Sequence, residues 1–152
     1  MNPLSIPSMS SPAVRLDVGY RLVLQPSGRE IALAPKERAL YQFFLLHPKG
    51  VIFSHLPDYQ EELVGLYLRF YTGSSDDRES PRAVAERVIR KLAFDTDGDR
   101  SQTVSKINRK VRTALQGEVD NPLEFCIQGP NGGAKRVVAA SDGRSIQWLD
   151  LK

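Results

Sequence analysis

Residues 101–116 read SQTVSKINRKVRTALQ, with four basic residues and no acidic one. Wound at about 100° per residue, Val104, Ile107, Val111, Ala114 and Leu115 cluster on one side. Gln102, Lys106, Arg109 and Thr113 fall on the opposite side, and Lys110 and Arg112 sit on the flanks. Such a helix sinks one face into a core and shows cations and hydrogen-bonding groups on the other. Surfaces of this kind meet phosphates and base edges: Lys and Arg neutralise phosphate, and Arg can hold guanine through two hydrogen bonds. A solvated charged face would account for the amphipathicity as well, but less well for the missing acidic residues.

The charge balance around this helix points the same way. Residues 1–99 carry 12 basic and 13 acidic side chains, whereas residues 100–152 carry 9 basic and 5 acidic. The overall excess of +3 is therefore concentrated in the C-terminal third, as expected for a segment facing a polyanion. The 152 residues suit one domain with a modest tail. The apolar run at residues 39–48 is about half of what a membrane span needs. Residues 1–12 carry no charge and no long apolar block, so neither a secretory signal nor a transit peptide is expected. Cys126 is the single cysteine and excludes an internal disulfide framework. These features predict a cytoplasmic protein.

Working outward, residues 1–12 read as a flexible tail rich in Ser and Pro. Alternation predicts strands over 14–18 and 20–25, and a third over 29–33. Pro35 suits the first position of a helix, with Ala39, Leu40, Phe43, Phe44 and His47 on its inner face. Ser54 is the expected N-cap of a second helix striped by Leu63, Leu66, Tyr67 and Phe70. A polar loop spans 73–79, and Ser80-Pro81 opens a third helix with Val84, Val88, Ile89 and Leu92 inward. Residues 95–99 read as a loop before the fourth helix, and 117–122 as a break after it. Residues 123–128 and 136–140 read as a hairpin about 129–134, and residues 146–149, with Trp148, as a last strand.

These residues together resemble the C-terminal effector domains of OmpR/PhoB-type response regulators, a winged-helix family. Leu33-Ala34-Pro35-Lys36-Glu37 is similar to the family's Leu-Thr-Pro-Lys-Glu entry into its first helix. The segment from Leu45 to Ser54 resembles the approach to its second helix. Val104-Ser105-Lys106-Ile107-Asn108-Arg109-Lys110-Val111 resembles Ile-Ser-Arg-Leu-Arg-Arg-Lys-Leu in its recognition helix, and Ile127 through Val137 aligns with its wing. The resemblance covers roughly residues 14–140, in order. It implies DNA contacts from Thr103, Lys106, Asn108, Arg109 and Lys110, and from Lys135 and Arg136 on the wing. The basic flank adds Arg112 to the phosphate contacts, with Thr103, Asn108 or Arg109 reading bases. It assigns Val104, Ile107 and Val111 to the core.

The chain departs from the family pattern at four points. No receiver domain is expected ahead of the module in these 152 residues. Residues 57–100 exceed the family's second helix and following loop, and are expected to hold an extra helix at Pro81–Ala93. Ala134-Lys135 replaces the wing's Gly-Tyr pair, and Asn131 replaces an arginine. The extra helix and the acidic stretches 76–79 and 95–99 motivate an alternative: a protein-interaction or dimerisation module on a winged-helix scaffold that has lost DNA binding.

Other signals carry less. Asp95-Thr96-Asp97-Gly98-Asp99 lacks calcium-loop spacing, with its glycine fourth rather than sixth. Gly129-Pro130-Asn131-Gly132-Gly133 precedes a strand, not the helix that a phosphate-cradling loop requires. His47 and His55, the only histidines, form no set with Cys126 for metal binding or catalysis. Neither an enzyme nor a cofactor or metal is expected. The expected fold is α+β, a winged helix-turn-helix over residues 13–152 with an N-terminal antiparallel sheet, an inserted helix and a C-terminal wing hairpin. The expected function is sequence-specific binding of double-stranded DNA in transcription regulation. A homodimer or a protein partner through the inserted helix is also expected.

Overall fold

The computed structural model describes residues 14–16, 22–24, 28–71, 80–141 and 146–148. The expected tail at 1–12 and the expected loop at 73–79 lie outside the described residues. The fold is α+β. In chain order it has β1 (Val14–Leu16), β2 (Leu22–Leu24), α1 (Pro35–Leu46), β3 (Val51–Ile52), a 3-10 helix (Phe53–Tyr59), α2 (Gln60–Phe70), α3 (Pro81–Ala93), α4 (Asp99–Leu115), a 3-10 turn (Pro122–Phe125), β4 (Ile127–Gln128), β5 (Ala134–Val137), a second 3-10 turn (Val138–Ser141) and β6 (Ile146–Trp148).

α1 is the centre of the core. Its residues Ala39, Leu40, Tyr41, Phe43, Phe44 and Leu45 are all buried. It starts at Pro35, and the Ala34 N–H donates to the Glu37 carboxylate at 2.9 Å, so one of the unpaired amides of the first turn finds a partner. His47 ends it, half-buried, with its ring 4.4 Å from Phe43 and Nε2 2.8 Å from Glu62 of α2. α3 is capped by Ser80, whose Oγ accepts from the Ala83 N–H at 3.1 Å. It buries Ala85, Ile89, Leu92 and Ala93; Val84 and Val88, expected inward, are only half-buried.

Several boundaries differ from the sequence expectation for local reasons. The second helix begins at Gln60, not at Ser54, because the chain first runs through a 3-10 helix containing Pro57. Residues 29–33 make a single bridge, Val23 to Glu30, rather than a strand. Pro122 lacks an N–H, and the Asn121 side chain accepts from the Leu123 N–H, so residues 122–125 turn and only Ile127–Gln128 is extended. The hairpin's return strand is Ala134–Val137, two residues earlier than expected.

The described residues form two small sheets. β3, β5 and β4 form an antiparallel sheet in that order, with Val51 opposite Lys135 and Ile127 opposite Val137. Gly50 permits the β3–β5 approach: its φ is +97°, and a Cβ there would lie 2.8 Å from the Lys135 carbonyl oxygen. The other sheet runs β2-β1-β6. β1 pairs antiparallel with β2 but parallel with β6, Val14 opposite Ile146. The expected antiparallel N-terminal sheet is thus mixed, because alternation sets a strand's faces and not its partner or direction.

Candidate nucleic-acid interface

α4 is entered through a tight turn. Asp95, Asp97 and Gly98 all have left-handed backbone, with φ of 54°, 54° and 76°. Asp and Gly tolerate that region best. The Asp95 carboxylate accepts from the Ser101 N–H at 3.1 Å and from its hydroxyl at 3.2 Å, so the helix begins at Asp99, two residues before the expected start. Burial opposes ionisation of Asp95, but the Ser101 hydrogen bonds and nearby Arg100 outweigh it and hold the carboxyl below its usual range. Arg100 anchors the joint. Its guanidinium donates to the carbonyls of Phe53 (3.2 Å) and Ala93 (2.9 Å), pairs with Asp95 and covers the Phe53 ring.

Along α4, Ile107, Val111 and Leu115 are fully buried. Gln102, Ser105, Lys106, Arg109, Arg112 and Thr113 are exposed. α3 therefore does not lie across that face. Among the described residues, the Lys106, Arg109 and Arg112 side chains have no hydrogen-bond or ion-pair partner. Arg109 and Thr113 also border an open groove of about 500 Å³ against Arg29, Glu30, Ile31 and Ala32.

Four of the residues assigned to DNA from the family pattern have partners inside the protein. Thr103 is 2% exposed, and its hydroxyl donates to the Asp99 carbonyl at 2.7 Å, one turn back. Asn108 clamps the hairpin: Nδ2 donates to the Ile127 carbonyl at 2.9 Å, and Oδ1 accepts from the Ile127 N–H at 2.8 Å. Lys110 Nζ donates to the buried Glu37 carboxylate at 2.7 Å, tying α4 to the first turn of α1. Lys135 Nζ donates to the Gly129 and Pro130 carbonyls at 2.7 and 2.9 Å, closing the hairpin tip, and lies 5.5 Å from the Phe53 ring centre. Arg136 is exposed on the outer side of β5 beside exposed Gln128.

Sequence reasoning passed over Arg29 and Arg100. Arg29 reaches from the segment before α1 to the Ala114 carbonyl (3.1 Å) and to Glu118 (3.8 Å), beside the C-terminal end of α4. Neither residue lies in a periodic pattern that would mark it.

Cys126 is buried behind α4, and burial pushes its thiol pKa up, against a smaller opposing effect of Arg112. Among the described residues no group of three or more His, Cys, Asp or Glu could hold a metal ion, and no helix is long and apolar enough to cross a membrane. Comparison with protein-family models, curated proteins and solved structures found no match.

Proposed function

We propose that the chain is a sequence-specific double-stranded DNA-binding module on a winged-helix scaffold, acting in transcription regulation. The observation that carries the reading is the outward face of α4: acid-free over residues 101–116, uncovered, and with Lys106, Arg109 and Arg112 exposed. In this reading α4 enters the major groove and the β4–β5 hairpin is the wing, with Arg136 toward the neighbouring backbone. α2 then takes the place of the family's second helix, and α3, Pro81–Ala93, is the inserted one.

Phosphate contacts are assigned to Lys106, Arg112 and Arg136, with Arg109 at the bases or a phosphate. Three to four contacts correspond to a log–log salt slope of about −3. Binding of labelled duplex, titrated between about 50 and 200 mM salt, tests this. Retention that is absent at the lowest salt, or insensitive to salt, sinks the reading. The alternative, a protein-docking module, draws on Phe94, 56% exposed at the end of α3 next to Arg90 and Thr96. Absence of duplex binding at the lowest salt, together with self-association in sedimentation that a Phe94→Ser variant loses, would favour it.

A further inference from the structure

We infer that α4 reads an adenine through Gln102 and a guanine through Arg109, about three base pairs apart. The inference rests on the DNA-binding reading and deepens it. With Thr103 buried and Asn108 spent on the Ile127 backbone, both are removed from the base-reading set. The exposed side chains that remain are not equivalent in position. Gln102 and Arg109 stand seven residues apart, so they lie within about 20° of one line along the helix. That line is the middle of the exposed face, opposite Ile107 and Val111. Lys106 and Arg112 lie on either side of it, toward the two edges.

A helix seated in a major groove presents its midline to the base edges and its margins to the two sugar-phosphate walls. This geometry assigns Lys106 and Arg112 to phosphates on opposite strands. Gln102 and Arg109 receive the bases. Two-hydrogen-bond geometry pairs a glutamine amide with adenine N6 and N7, and a guanidinium with guanine O6 and N7. Seven residues advance about 10 Å along a helix axis. At about 3.4 Å per base pair that is three steps.

Binding-site selection from a randomised duplex pool, with the full chain at about 50 mM salt, tests the assignment. The expected result is enrichment of sites carrying adenine and guanine about three positions apart. Gln102→Ala should flatten preference at the adenine alone, and Arg109→Ala at the guanine alone, each by about 5- to 150-fold. Arg109→Gln should move that position from guanine to adenine. Both residues are exposed, so these variants should melt as the parent does. Selected sites on which all three variants keep the parent's preference overturn the inference alone. Salt-sensitive binding without base preference overturns it together with the sequence specificity of the proposed function, leaving only duplex binding. Absence of salt-sensitive duplex binding removes both.

Discussion

At the scale of the residue, neighbouring cations on α4 have different roles. Arg109 is exposed with no partner among the described residues, whereas Lys110 donates to Glu37, which is 5% exposed. Removing the lysine leaves a buried carboxylate whose one remaining partner among the described residues is the Ala34 N–H. Lys110→Ala should therefore destabilise the fold by about 1–2 kcal/mol, lessened by the partial exposure of the lysine. Arg109→Ala should stay within about 0.5 kcal/mol of the parent and weaken duplex binding. Urea unfolding of the two single variants, beside a duplex titration, checks the split. Equal stability of the two would discount the Lys110–Glu37 pair. A double Arg109/Lys110 alanine variant would merge these effects and test neither residue cleanly.

At the scale of the element, the junctions depend on a few polar side chains reaching backbone groups far along the chain. Arg100 holds the end of α3, the turn and the 3-10 helix to the start of α4. Arg100→Ala leaves the Phe53 and Ala93 carbonyls without this donor and strips a cation from the Phe53 ring. The expected loss is about 2–3 kcal/mol, read as a lower urea midpoint with an unchanged slope. Because the same joint sets the angle of α4, duplex affinity should fall even where the variant remains folded. A variant with parent-like stability would remove Arg100 from the joint. Tyr41 makes a comparable link from α1, its buried hydroxyl donating to the Phe125 carbonyl at 2.6 Å ahead of the hairpin.

For the whole molecule, pH dependence follows from what the core encloses. Burial raises the pKa of Cys126, Tyr67 and Tyr41 above their ordinary values. In the unfolded chain a cysteine ionises near about 8.5 and a tyrosine near about 10. A group whose folded pKa is raised contributes stability that is complete below its unfolded pKa and is lost as pH rises toward the folded one. Stability should therefore be undiminished by these groups at about pH 7 and decline from about pH 8.5 upward. Cys126→Ala should delay the onset, and Tyr41→Phe should flatten the decline above about pH 10. Urea midpoints at about pH 7, 9 and 10.5 measure this, and a parent that is no weaker at the highest pH refutes it.

The periodicity of residues 101–116 determined by itself which side of α4 enters the core. Ile107, Val111 and Leu115 are buried while Lys106, Arg109 and Arg112 are exposed, because a 3.6-residue repeat is a local property of the chain. Pro35 and Ser80-Pro81 likewise mark helix starts that depend only on adjacent backbone amides. Partners in space were not legible. Asn108 meets Ile127, 19 residues on, and Lys110 meets Glu37, 73 residues back. β1 takes β6 as a parallel neighbour from the far end of the chain. Only the tertiary structure decided these pairings, and with them which polar residues of α4 remain available to a ligand. A side chain's type states what it can bond, whereas packing brings one distant group within reach and leaves another in solvent.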